Sequence, residues 1–471
     1  MWIGTGAPAD FLRPSGVVVR LPRANPRRPP TMNHASELPI AVLGAGPIGL
    51  AAAAHLLERG LRPLVLEASD APGASVRDWG HVRLFSPWRY DVDPAAARLL
   101  ERHGWRAPDP DALPTGAELY EAYLRPLAAV PELQPHLRLG RRVTAISRVG
   151  LDKIRTALRR DAPFSIHTVD AAGRRERFVA RAVLDATGTW WSPNPVGAAG
   201  LPAEGEPAAS GRIHYGIPDV LGRDRSTYAG ASTLVVGAGH SAANSILALA
   251  ELARTAPGTA ITWATRGSNL ARVFGGGAAD GLPARGQLGA ELRALVDAGR
   301  LTMVLELRIE AIDADGDRLI VRGRQRDAEA VVGPFDRIIA ATGQRPDLGM
   351  IRELRASFDP ALECVSALAT LIDPNEHSCG TVRPHGAATL AHPEPDFYVV
   401  GAKSYGRAPT FLLATGYEQV RSIVAMLAGD RAAAERVELD LPETGVCNSA
   451  LPGAGDDEGG GCCAPAKGGC C

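Results

Sequence analysis

Gly44, Gly46 and Gly49 break the apolar stretch PIAVLGAGPIGLAAAAHLLERG with the spacing GxGxxG. Each glycine has its own physical reason. Gly44 permits a tight turn, Gly46 lets the backbone approach a pyrophosphate, and Gly49 lets a helix pack close to its strand, with the helix N-terminus facing the phosphates. Glu67 follows about 20 residues on, closing a second β-like run where a carboxylate holds ribose hydroxyls. The pattern recurs in ASTLVVGAGHSAANSILALAELARTAPGTAITWATRG, where Gly237, Gly239 and Ala242 give GxGxxA. The run after this second helix ends at Arg266 instead of an acid. A carboxylate repels a 2′-phosphate, whereas an arginine pairs with it. The first cradle therefore suits FAD and the second NADPH. Arg272 and Arg285 are candidates for further phosphate contacts, with solvated surface arginine the equal alternative in so arginine-rich a chain.

Each cradle needs a strand, a glycine turn, a helix and a further strand, which makes the expected class α/β: an FAD-binding Rossmann-like domain with a nested NADPH-binding Rossmann-like domain. Two more segments fit that frame. RAVLDATGTWW and RIIAATGQRPD are each an apolar strand ending in Ala-Thr-Gly, at Thr187–Gly188 and Thr342–Gly343. Two such strands around a second Rossmann unit resemble the flavoprotein superfamily that includes thioredoxin reductases and flavin-containing monooxygenases. The resemblance covers roughly residues 38–435. It implies an FAD domain in two parts, 38–225 and 335–435, interrupted by an NADPH domain over 226–334. Residues 1–37 read as a disordered Pro- and Arg-rich extension, with Met32 a natural start, and 436–471 as a flexible Cys-rich tail.

The resemblance also places residues around a flavin. In DFYVVGAKSYGRAPTFLLATGYEQV, Gly401 stands where the superfamily has a strand ending in Gly-Asp, but Ala402 replaces the acid. The helix beyond points at the flavin, so Lys403 and the backbone around Arg407, Ala408 and Thr410 are expected to stabilise an anionic reduced flavin. The alternative is that Lys403 caps a strand in solvent. APGASVRDWGHVRLFSPWRY is similar to the monooxygenase segment that lies against the flavin, with Gly73, Trp79, Arg83, Ser86 and Trp88 as its contacts. SGRIHYGIPD weakly echoes a monooxygenase FxGxxxH signature at His214, for which a structural role is an equal reading. HSCGTVRPHG, HPEPDFYVVGAKSYGRAPTFLLATGYEQVRS and LPETGVC carry a closer similarity, to flavin-dependent monooxygenases found with bacterial arsenic-resistance genes. That resemblance implies that NADPH reduces FAD and that O2 supplies an oxygen atom to a soft nucleophile or metalloid. Lys403, Tyr405, Arg407 and Cys379 are the catalytic candidates, with Trp88 a neighbour of the reacting edge.

The remaining chemistry is in the cysteines. Five of the seven lie in the last 25 residues, ending in GCCAPAKGGCC. No redox-active CxxC or CxxxxC accompanies the cradles, since Cys364 and Cys379 are isolated. Cys462, Cys463, Cys470 and Cys471 are soft ligands suited to Cu(I), Hg(II) or As(III), and a tether of about 15 residues reaches roughly 20 Å. Cysteines gathered in a tail, not spread through the fold, indicate a reducing cytoplasm. The net charge of −1 excludes a phosphate-backbone footprint, so nucleic acid is not an expected partner. No apolar run approaches the ~18 residues that span a bilayer, so neither is a membrane. A homodimer is left open. Three functions follow: an NADPH- and FAD-dependent monooxygenase whose tail traps a metalloid, a reductase passing electrons from FAD to the tail thiols, and a metalloid-binding protein without turnover.

Overall fold

The computed structural model describes residues 37–275, 282–374, 382, 384–408 and 411–439. Its architecture is one plan used twice. The first five-stranded sheet runs in the order Phe397–Val399, Ala182–Asp185, Ile40–Leu43, Pro63–Leu66, Leu137–Arg138, with every neighbouring pair parallel. The second has the equivalent order, Ile213–Tyr215, Arg337–Ala340, Ser232–Val236, Ala260–Ala264, Thr302–Val304, and is also all parallel. In both, the strand before the glycine turn is central and the strand before Ala-Thr-Gly lies beside it. A three-stranded antiparallel meander follows the far edge strand of each, over 142–180 and 307–335.

The sheet order corrects the expected boundaries. Ile213–Tyr215 and Arg337–Ala340 belong to the second sheet, although both lie outside 226–334. The second unit therefore takes an element from each side of its expected span. The reason is register: Ile338 and Ile339 pair with Leu234 and Val235 on one side and with Ile213 and His214 on the other. Such long-range parallel pairing leaves no local mark in composition.

Helix content follows burial. The first cradle helix, Pro47–Glu58, is apolar nearly all round, and Leu50 to Ala53 and Leu56 are wholly buried. A helix of that kind belongs inside the fold. Its alanines let it lie between the first sheet and helix Leu413–Leu427, where a Cβ on Gly416 would come within 2.5 Å of Ile48. The second cradle helix, His240–Thr255, is one-faced: Ala242, Ala243, Ile246, Leu249 and Leu252 are buried at helical spacing. In the first half, Glu394 sits buried between Arg148 and Arg159, at 2.8 and 2.6 Å, and ties the meander to the turn before Phe397–Val399. Among the described residues no helix is long and apolar enough to cross a membrane.

Candidate functional site

The first cradle is built by close approach. Gly44 has φ +92°, and a Cβ there would fall 2.8 Å from the Ala186 carbonyl oxygen. A Cβ on Gly49 would fall 2.0 Å from the Gly44 carbonyl oxygen. Gly46 is different, because a Cβ there meets nothing within 4 Å. Gly46 is the N-cap of the 12-residue helix, no side chain caps that end, and open space lies over it. Unsatisfied amides beneath an open face fit a pyrophosphate. Glu67 is half-buried, its two oxygens accepting the amides of Ala45 at 2.7 Å and Ser69 at 2.8 Å. Those bonds fix the carboxylate at the strand end and leave lone pairs for hydroxyl donors. Gly73 donates its amide to the Ala45 carbonyl at 2.9 Å, which brings the segment 73–88 against this cradle.

The two Ala-Thr-Gly motifs form turns beyond the strand ends at Asp185 and Ala340. Each turn abuts its own cradle. Thr187 Cα would lie 3.2 Å from a Cβ on Gly44, and the Ala341 carbonyl oxygen 2.1 Å from one on Gly237. The second turn is held by Asn194, whose carbonyl accepts the Thr342 hydroxyl at 2.6 Å and whose amide donates to the Gly343 carbonyl at 2.9 Å. Gly237 has φ +130°, and Gly239 caps the 16-residue helix with open space above it. Ala242 is wholly buried against the sheet. Arg266 is exposed on the loop after Ala260–Ala264, held by one 3.3 Å bond to the Ala198 carbonyl, so most of its donors face outward. Arg285 is buried on helix Pro283–Asp297, so it is not a solvated surface arginine. The side chain of Arg272 lies outside the described residues.

Lys403 is neither a free charge facing a cofactor nor a solvent-exposed cap. Its ammonium is 2.7 Å from Asp185 Oδ2 and donates to Thr187 Oγ1 at 2.9 Å, with side-chain exposures of 1% for Lys403 and 0% for Asp185. The charge expected to stabilise a reduced flavin is one half of a buried ion pair. The physical cause is Asp185, an acid at the end of a buried strand. Gly401 donates to Gln419 Oε1 at 2.7 Å, and Gln419 bridges His385 and Ser404 in a buried network. Tyr405 is buried between the rings of His385 and Phe411, and burial pushes its phenol upward. Arg407 is half-exposed, 3.9 Å from Glu363, and Ala408 donates its amide to the Tyr405 carbonyl.

The segment 73–88 divides in two. Trp88 and Ser86 are buried, and the Ser86 hydroxyl donates to Asp91 at 2.8 Å. Asp91 is wholly buried with one oxygen lacking a partner, and burial pushes its carboxyl up to about 7. Arg83 is half-exposed and donates to the Leu113 carbonyl, and Trp79 packs on Gly116. His214 lies on an edge strand of the second sheet, paired through Ile339, and its burial lowers its pKa. Phe85, which the sequence did not single out, rests 5.4 Å from His240 at the mouth of the second cradle. Cys364 is buried and free, its thiol pushed up to about 12 by burial. Cys379, Thr410, Cys462, Cys463, Cys470 and Cys471 lie outside the described residues. Among the described residues no group of three His, Cys, Asp or Glu is placed to hold a metal ion.

Two glycine cradles of this geometry match a known family profile. The pyridine nucleotide-disulphide oxidoreductase profile aligns with residues 41–363. The chain belongs to that family. It is an NAD(P)H-dependent flavin oxidoreductase. Solved structures of the same fold include the bacillithiol disulfide reductase Bdr (YpdA) from Bacillus cereus, with 17% identity over 83% of this chain and 99% of that one, and a TM-score of 0.60. DfoA from Erwinia amylovora, a cadaverine monooxygenase of desferrioxamine biosynthesis solved with FAD, has 14% identity over 88% and 99%, and a TM-score of 0.59. Thioredoxin reductase from T. acidophilum has 15% identity over 84% and 99%, and a TM-score of 0.51. At such identities the likeness concerns the fold. No curated protein matches the sequence. The oxidoreductase thus shares its framework with both reductases and oxygenases.

Proposed function

We propose that this oxidoreductase is a cytoplasmic, FAD- and NADPH-dependent monooxygenase, with FAD in the first cradle and NADPH in the second. The observation that carries the cofactor assignment is the contrast at the strand ends: Glu67 anchored by two amides in one cradle, Arg266 facing solvent in the other. The Gly46 end of its helix would receive the FAD pyrophosphate, and Glu67 the ribose hydroxyls. Gly239 would take the NADPH pyrophosphate, and Arg266 the 2′-phosphate that distinguishes NADPH from NADH. Bound FAD would accept the hydride of NADPH and pass electrons to O2, chemistry that the side chains alone do not provide.

Cys364 favours oxygen over a protein disulfide as acceptor. It is the free cysteine among the described residues, and a buried thiol with a pKa near 12 supplies almost no thiolate. The substrate we propose is a soft nucleophile, foremost a trivalent arsenic compound in metalloid detoxification, held for reaction by Cys462, Cys463, Cys470 and Cys471. Thiolates prefer such soft acceptors. A second reading is supported by the same tail: two vicinal cysteine pairs on a glycine-rich tether suit a thiol relay as well as a trap. Replacing all four terminal cysteines with serine separates the two. A monooxygenase keeps NADPH oxidation that depends on O2 and FAD, and loses only affinity for the metalloid. A chain that stops oxidising NADPH under excess substrate would be a relay reductase.

A further inference from the structure

We propose that Lys403 and Asp185 are positioning residues that set the electrostatic potential beneath the first cradle and act on the flavin through the Thr187 turn. This rests on the FAD reading of that cradle. The three side chains close a ring of one ion pair and two hydrogen bonds. The Lys403 ammonium lies 2.7 Å from Asp185 Oδ2 and donates to Thr187 Oγ1 at 2.9 Å. The Thr187 hydroxyl in turn donates to Asp185 Oδ1 at 2.7 Å, and its amide reaches the same oxygen at 3.2 Å. Both charges are buried, whereas Thr187 is exposed on the turn that abuts Gly44. The pair therefore sits one hydroxyl away from the open face of the cradle.

Rigidity alone does not account for it. Taking two charges out of water costs more than apolar packing of similar volume returns, so a strand end that needed only to be held would be served by apolar side chains. Position supplies the other half of the argument. Asp185 ends the strand next to the cradle strand, paired with Leu43, and Lys403 lies on the turn that follows the neighbouring strand, Phe397–Val399. The pair joins two adjacent strand ends, beside the cradle strand, at the carboxyl edge of the sheet, the edge at which parallel α/β sheets bind ligands. His392, the histidine whose charge Asp185 would favour, is kept neutral by burial, its pKa lowered to about 4, so it adds no charge near neutrality. Charges in such a low-dielectric place act over longer range than in water. Intact, the pair is neutral and the cradle feels a local dipole. Broken on either side, it exposes the flavin to one uncompensated charge of known sign.

The test is a charge cycle on the full chain loaded with FAD. Lys403→Met, Asp185→Asn and the double variant would be compared with the wild type for FAD dissociation constant, flavin midpoint potential and thermal unfolding. Reduction adds negative charge to the flavin. Lys403→Met, which leaves the carboxylate unopposed, is expected to lower the potential and to weaken FAD binding by about tenfold, the equivalent of ~1.4 kcal/mol. Asp185→Asn is expected to raise the potential. The double variant, with both charges gone, is expected to return toward the wild-type potential from the opposite shifts of the two single variants. A purely structural pair would change unfolding and leave every potential in place. Unmoved potentials, or single variants shifting in the same direction, would overturn the inference while the FAD reading stands. A wild-type chain that takes up no FAD would overturn the cofactor reading, and this inference with it.

Discussion

The two halves of the molecule share a backbone and differ at its rim. Each has a central strand, a glycine turn with an open face, a helix beginning over that face, and an Ala-Thr-Gly turn pressed on the first glycine. In the first half the rim is fixed from within: Glu67 is bound by two amides, and Lys403 and Asp185 are sealed beneath Thr187. In the second half the rim is open, and Arg266 is held by one weak carbonyl contact. The comparison separates two roles. On the proposed assignment, the repeated backbone would recognise what both dinucleotides share, a pyrophosphate, while the side chains at the strand ends would decide which dinucleotide stays and which comes and goes. A resident cofactor suits the buried, pre-bonded rim, and a hydride donor that binds and leaves suits the exposed arginine.

The largest effect that would break this comparison comes from adding one carbon. Gly49→Ala forces a Cβ to within 2.0 Å of the Gly44 carbonyl, so the purified chain should lose its flavin absorbance. Gly237→Ala places a Cβ 2.1 Å from the Ala341 carbonyl at φ +130°, and should retain the flavin while NADPH reduces it more slowly by about 100-fold or more, some 3 kcal/mol. If Gly237→Ala lost flavin and Gly49→Ala kept it, the assignment of the cradles would be reversed. A smaller effect sharpens specificity. Arg266→Ala should raise the KM for NADPH by roughly 10- to 100-fold, the worth of a charged hydrogen-bonded contact, and leave NADH nearly unchanged. Equal losses with both nucleotides would mean that Arg266 does not read the 2′-phosphate.

The smallest predicted effect concerns Asp91, at the base of the segment beside the first cradle. Burial, opposed in part by the Ser86 hydroxyl, holds its carboxyl near 7, whereas the unfolded chain ionises it in the ordinary carboxylate range. The unfolded state therefore releases the proton first, and the stability this group contributes declines as pH rises from about 4 to about 7. Asp91→Asn should raise the thermal midpoint at pH 8, by on the order of 1 kcal/mol of stability, and change it little at pH 4. A variant equally destabilised at both pH values would show that the carboxyl is ionised and paired in the fold.

The cradles were legible in the sequence because every constraint on them is local: three small residues, a helix and a strand lie within about 30 residues. The unit boundaries were less so. Ile213–Tyr215 and Arg337–Ala340 meet only across the second sheet, and parallel partners far apart in sequence leave no periodic trace. Lys403 drew notice through the resemblance around Gly401, but its pairing with Asp185 went unread. An acid closing the apolar run Ala182–Asp185 was the available signal, since a buried carboxylate demands a partner. Phe85 and His240 gave no such signal; one is an apolar residue in a loop and the other a helix-end histidine, and only the fold brings them together.

The central claim is that two cradles supply one flavin that acts without a protein thiol. An anaerobic titration of the FAD-loaded full chain with NADPH, following the flavin spectrum, tests it most directly. Uptake of two electrons per FAD, with no long-wavelength band from a thiolate beside the flavin, is the predicted result. Uptake of four or more, with that band appearing, would place cysteines in the electron path and contradict the account.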